Sequence, residues 1–254
     1  MDTTSLALRV KDASRRFGGL KALRGASLDV GAGERVSVIG TNGAGKSTLF
    51  NLIAGVFPPS SGTVELFGED VTRLPAASRA RRGLARTFQT SKLFDQLTCA
   101  ENVFIALGGN VFRTRRLAPA RLDRIRWERA DALLERVNLA GRGQTVVSDL
   151  SHGEQRQLEI AMALSLEPKL LMLDEPAAGF SPAERAHLVT LLGALPREMT
   201  LLLIEHDMDI ALAVADRVVV MHDGEKILEG TPDEIRASDR VREIYLGGSI
   251  DDVA

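Results

Sequence analysis

Hydrophobic positions change their period along the chain. Leu6-Ala7-Leu8-Arg9-Val10 and Ala26-Ser27-Leu28-Asp29-Val30 alternate apolar with polar, the period of a half-buried strand, and the second ends at a Gly31-Ala32-Gly33 turn. Phe17 lies between them beside Gly18-Gly19. Arg35-Val36-Ser37-Val38-Ile39 is a short apolar run, followed by a glycine-rich stretch and a helix-like segment, Leu49-Phe50-Asn51-Leu52-Ile53-Ala54, that stops near Gly55. Pro58 to Gly62 reads as a loop, and Thr63-Val64-Glu65-Leu66-Phe67 as a strand closed by Gly68. From about 74 to 165 helical spacing dominates, with Ala130, Leu133, Leu134 and Val137 on one face of a helix over 128–137. Beyond about 168 strands return. Leu170-Leu171-Met172-Leu173-Asp174 and Leu201-Leu202-Leu203-Ile204-Glu205 are nearly continuous apolar runs, as strands buried on both faces of a parallel sheet require. Val218 to Met221 and Lys226 to Leu228 flank Asp223-Gly224, a hairpin turn. The pattern predicts an α/β fold interrupted by a helical block.

Composition narrows the class. At 44% hydrophobic residues the 254-residue chain can build a sizeable core, and a net charge of −2 gives no general reason to expect nucleic acid as partner. No run approaches the roughly 18 consecutive apolar residues of a membrane span. Met1-Asp2-Thr3-Thr4-Ser5 lacks the features of a signal peptide, and a single cysteine, Cys99, excludes an internal disulfide. A cytoplasmic location is expected. The arginine-rich block Arg113, Arg115, Arg116, Arg121, Arg124, Arg126 and Arg129 admits a nucleic-acid reading or contact with anionic lipid. Asp123, Glu128 and Asp131 are interspersed, and only Trp127 is there to stack on bases, so a solvated helical face is the better reading.

The chemistry centres on Gly40-Thr41-Asn42-Gly43-Ala44-Gly45-Lys46-Ser47-Thr48, placed between an apolar strand and a helix. That context makes the G-x-x-x-x-G-K-S match a phosphate-binding loop. Backbone N–H groups converge on an anion, the helix N-terminus adds positive potential, Lys46 reaches the β- and γ-phosphates, and the Ser47 hydroxyl ligates Mg²⁺. The expected ligand is a nucleoside triphosphate. Leu170 to Asp174 followed by Glu175 places two acids at the carboxyl edge of the sheet, where Asp174 can hold Mg²⁺ and Glu175 can act as general base toward water. Leu150-Ser151-His152-Gly153-Glu154-Gln155 opens another helix, and Ser151 with Glu154 forms a capping box on its plainest reading.

With these motifs in this order, almost the whole chain resembles the ATP-binding subunits of ABC transporters. Leu150 to Glu154 corresponds to their Leu-Ser-Gly-Gly-Gln signature, departing at His152 and Glu154 and matching at Ser151 and Gly153. The resemblance implies that Phe17 stacks on adenine, where tyrosine is commoner. It implies that Gln89, in Arg86-Thr87-Phe88-Gln89, contacts Mg²⁺ and the attacking water, and that His206 contacts the γ-phosphate. Ser181, in Ala178-Gly179-Phe180-Ser181, replaces the usual aspartate of a dimer-contacting loop. The fold implied is a P-loop NTPase core with a mainly parallel sheet, an N-terminal antiparallel β subdomain and an inserted α-helical subdomain. The core would span about 1–86 and 168–254, and the helical part, carrying the signature, about 87–167. Two subunits, as homo- or heterodimer, are expected to close on ATP and Mg²⁺, with Ser151 and Gly153 of one meeting the γ-phosphate held by the other.

Arg15 to Leu20, Leu84 to Gln89, Pro176 to Gly179, Ile204 to Met208 and the tail from Gly230-Thr231-Pro232 to Tyr245-Leu246-Gly247 look like the ATPases of branched-chain amino acid importers. That implies transmembrane permease subunits and, indirectly, a substrate-binding protein, with this chain peripheral on the inner face of the membrane. Urea or amide importers and lipopolysaccharide exporters share much of the pattern. Soluble ATPases of the same superfamily are a further class, disfavoured by one nucleotide motif set, one cysteine and no sustained heptads.

Overall fold

The structure, a computed structural model, describes residues 5–87, 93–108 and 120–247. In chain order the elements are β1 (Leu6–Phe17), β2 (Leu20–Gly31), β3 (Arg35–Ile39), α1 (Lys46–Ala54), β4 (Ser61–Leu66), β5 (Glu69–Asp70), α2 (Ala76–Ala80) and β6 (Leu84–Arg86). Then come α3 (Cys99–Gly108), α4 (Ala120–Arg136), α5 (His152–Leu164), β7 (Leu170–Asp174) and α6 (Pro182–Gly193). The chain continues through β8 (Thr200–Ile204), α7 (Met208–Val214), β9 (Arg217–His222), β10 (Glu225–Gly230), α8 (Pro232–Ala237) and α9 (Asp239–Gly247).

Two compact units result. The first comprises Met1–Arg86, Lys169–Glu175 and Leu192–Ala254. It holds an antiparallel sheet ordered β2-β1-β4-β5 and a six-stranded sheet ordered β10-β9-β3-β8-β7-β6. In the latter β3, β6, β7, β8 and β9 run parallel, and β10 closes one edge antiparallel to β9. Every residue of β3, β7 and β8 is buried, which is why these strands carry no polar alternation. Register fixes the functional edge: Val38 and Asp174 both pair with Ile204, so β3, β7 and β8 end level with one another.

The second unit comprises Thr87–Pro168 and Pro176–Leu191 and is helical. Ala130, Leu133, Leu134 and Val137 are buried, as their spacing predicts, but α4 begins at Ala120, well before 128. Of the arginine-rich block, Arg113, Arg115 and Arg116 lie outside the described residues. Arg124 pairs with Glu128 at 3.5 Å, Arg126 with Asp123 at 3.4 Å and Arg129 with Glu167 at 2.5 Å. Trp127 stacks on Phe104 with ring centroids 4.4 Å apart, and its neighbour Arg126 lies over the same Phe104 ring. Arg124 and Arg129 are exposed and paired, as a solvated face requires, whereas Arg126 is mostly buried and the aromatic is occupied by its own unit.

Candidate nucleotide site

β3 delivers the chain to Gly40 at the carboxyl edge of the sheet. A side chain there would collide with the Met221 carbonyl, and at Gly45, the αL residue that caps α1, with the Ala22 carbonyl. Glycine is therefore required at both ends of the loop. The turn of the β9–β10 hairpin braces it from outside: Gly224 N–H donates to Ala44 O at 3.1 Å, and Arg24 N–H donates to Gly224 O at 2.9 Å.

Lys46, the first residue of α1, is buried, and its Nζ donates to Gly40 O at 2.6 Å and Thr41 O at 3.1 Å. Burial lowers its pKa, against the opposing pull of Glu175 and then Asp174. The ammonium thus rests on the loop's own carbonyls. Ser47 follows on the first turn of α1, while Asp174 closes β7 as a buried carboxylate. Hydroxyl and carboxylate oxygens are the hard donors that Mg²⁺ takes alongside phosphate and water, so the donor set fits that ion.

Glu175 is held in a strained conformation, φ 47°, with its N–H donating to Ile204 O at 2.9 Å. A non-glycine residue in the left-handed region costs on the order of 1–2 kcal/mol, and such outliers concentrate at functional sites. The bend brings Glu175 Oε2 to 3.9 Å from His206 Nδ1, which follows β8 and Glu205. Asp207 then caps α7 by accepting from Asp209 N–H and Ile210 N–H. Lys46, Asp174, Glu175 and His206 therefore gather at one sheet edge, all within the first unit.

The other candidate residues fall elsewhere. Phe17 ends β1 and pairs with Leu20 across the Gly18-Gly19 turn. Half exposed, it packs edge-on against Phe57 at 5.4 Å, with the Arg15 guanidinium 4.8 Å from its centroid. Gln89 lies outside the described residues. Ser151, in the second unit, caps α5: its Oγ accepts from Glu154 N–H at 3.2 Å, and Ser151 N–H donates to Glu154 Oε2 at 2.9 Å. Burial raises the Glu154 carboxyl pKa, but hydrogen bonds from Ser151 and the Arg142 guanidinium hold it below its ordinary value. Ser181 N–H and Oγ both donate to Glu184 Oε2, at 2.8 and 2.7 Å, and the same Glu184 carboxylate lies beside Gly153. Arg86 went unassigned in the sequence; its Nη1 donates to Asn51 Oδ1 at 2.9 Å, and the guanidinium covers the Phe50 ring of α1.

A phosphate loop at the edge of a mainly parallel sheet, with an acid pair level with it, defines a P-loop nucleotide-binding domain. A family profile described as "ABC transporter" matches residues 23–178, and a second, "Branched-chain amino acid ATP-binding cassette transporter", matches 225–251. The high-affinity branched-chain amino acid transport ATP-binding protein BraF of Pseudomonas aeruginosa is 41% identical over 248 residues, covering 94% of this chain and 97% of that protein. A solved ATP-binding cassette of an ABC transporter in its ADP conformation superposes with a TM-score of 0.81 at 30% identity, over 95% of this chain and 99% of that one. A dimeric cassette in a post-hydrolysis state, bound to ADP and Pi, gives a TM-score of 0.77 at 26% identity, over 89% and 98%. The chain belongs to the ABC transporter family, as one of its nucleotide-binding ATPase cassettes.

Proposed function

We propose that this chain is the ATP-hydrolysing subunit that powers an ABC importer for branched-chain or related hydrophobic amino acids. The observation that carries the substrate class is the match of its C-terminal segment, residues 225–251, to the branched-chain cassette family.

In this reading Asn42 to Thr48 wrap the ATP phosphates, and Lys46 leaves Gly40 O and Thr41 O for the β- and γ-oxygens. Phe17 supplies the adenine platform. Ser47, Asp174 and Gln89 hold Mg²⁺, which neutralises phosphate charge when bound. Glu175 takes a proton from the attacking water, and His206, 3.9 Å away, steadies that carboxylate and faces the γ-phosphate. A second ATPase subunit, identical or related, contributes Ser151 and Gly153 at the N-terminus of its α5, where the helix dipole favours the phosphate. The helical unit passes the closure to transmembrane permeases fed by a substrate-binding protein. No helix among the described residues is long and apolar enough to cross a membrane, which suits a peripheral subunit on the inner face.

Purification of the tagged chain from its native membrane is expected to bring down two multispanning permeases, identified by mass spectrometry. A lipopolysaccharide-export assembly in their place would overturn the substrate class. Ser151 separates capping from catalysis, because asparagine caps a helix about as well as serine. Ser151→Asn is expected to keep Tm and monomer nucleotide affinity while lowering hydrolysis at least tenfold. Unchanged hydrolysis would leave Ser151 as a cap alone.

A further inference from the structure

Tyr245, the chain's single tyrosine, stands near the end of α9, far in sequence from the phosphate loop. Its ring packs on the cluster built around Ile39, Ala211, Val218 and Val220, so the C-terminal helix covers the strand that delivers the loop. The phenol oxygen is buried and completes no hydrogen bond, yet it faces the Gly40 amide. Buried tyrosine hydroxyls normally find a partner, because leaving one unmet is costly. Burial raises the pKa of the phenol against the opposing effect of the Gly40 amide, so the hydroxyl keeps its proton.

Gly40 is the residue on which the rest position of Lys46 depends. Its carbonyl accepts the 2.6 Å hydrogen bond from Lys46 Nζ, and Met221 O crowds its Cα from the β9 side. We propose that Tyr245 is a positioning residue for the nucleotide site: its hydroxyl completes a hydrogen bond with the Gly40 amide when phosphate draws Lys46 away, stabilising the occupied loop. The C-terminal segment then tunes nucleotide affinity as well as packing on the sheet. This rests on the reading of Gly40 to Thr48 as the nucleotide site.

Tyr245→Phe deletes only the oxygen and keeps the ring. The full-length variant is expected to bind a fluorescent ADP analogue, and to show a KM for ATP, about 3- to 10-fold more weakly than wild type, the range one net hydrogen bond spans. Its kcat should stay within twofold and its Tm almost unchanged. Affinity within twofold of wild type, or a fall in Tm with affinity intact, would overturn the positioning role. Failure of the wild-type chain itself to bind nucleotide would overturn the loop reading together with it. Labelling the lone tyrosine with 3-fluorotyrosine gives a second readout, since its ¹⁹F resonance should shift when ADP is added, and a stationary resonance would count against the contact.

Discussion

Glu175→Gln is expected to lower kcat for ATP hydrolysis by about 10²- to 10⁴-fold, the usual worth of a positioned general base. The amide matches the carboxylate in size and tolerates the same backbone, so the φ of 47° and the bond from its N–H to Ile204 O should survive. What disappears is an acceptor for the proton of the attacking water and the carboxylate that lies 3.9 Å from His206 Nδ1. Binding should move the other way. Glu175 leads the two carboxylates that raise the Lys46 pKa against its burial, and removing its charge beside the site relieves repulsion of the phosphates. Nucleotide affinity is therefore expected to hold or improve while phosphate release stops, leaving an ATP-bound dimer visible by size-exclusion chromatography. Turnover within threefold of wild type would mean that another group takes the proton.

The parallel strands β3, β7 and β8 were legible in the sequence because burial on both faces leaves few polar residues to interrupt them. Parallel β6, three residues at Leu84–Arg86, is too short to stand out in a stretch from about 74 where helical spacing dominates. The antiparallel pair was only half legible. β1 runs to Phe17 and β2 starts at Leu20, beyond the two alternating stretches, because register shifts after Val10 and Ala13 break the period of two. Phe17, expected between strands, is consequently a strand end. The first turns of α4 carry charge rather than an apolar stripe, so periodicity found only its second half.

At the site, the residue types and their order were legible, but the conformations were not. Nothing in Gly40 to Lys46 announces an ammonium parked on the loop's own carbonyls, and nothing in the Asp174-Glu175 pair announces the left-handed turn between them and His206. The capping reading of Ser151 and Glu154 was legible because both halves of the box lie within four residues. Tyr245 was visible only as part of a tail. Its approach to Gly40 depends on α9 folding back onto a strand some two hundred residues earlier.

Arg79 was the residue least foreseeable from its surroundings, because nothing in Ala76-Ala77-Ser78-Arg79-Ala80-Arg81-Arg82 separates it from Arg81 and Arg82. It is fully buried and donates to Leu52 O at 2.8 Å, Ile53 O at 2.7 Å, Leu74 O at 2.9 Å and Thr72 O at 3.2 Å. Two of these acceptors belong to the last turn of α1, so the guanidinium caps the negative end of the helix whose other end follows the glycine-rich loop. Burial pushes it down to about 10, which still leaves it charged at neutral pH. Removing a buried charge recovers its desolvation cost, and that gain competes with the loss. The loss wins here: Leu52 O retains the Gly55 N–H at 3.2 Å, but each of the other carbonyls left unpaired costs about 1–3 kcal/mol, and the vacated volume adds a cavity cost. Arg79→Ala is expected to cost on the order of 4 kcal/mol and lower Tm by about 10 °C. Lysine restores the charge but not the fork that reaches acceptors on two sides, so Arg79→Lys should recover only part of the stability. Urea midpoints for the three proteins measure this directly, and a loss below about 1 kcal/mol for alanine would show that water replaces the guanidinium. Saturating ADP should stabilise the alanine variant less than wild type, since a looser α1 weakens the loop it carries and mass action scales with affinity.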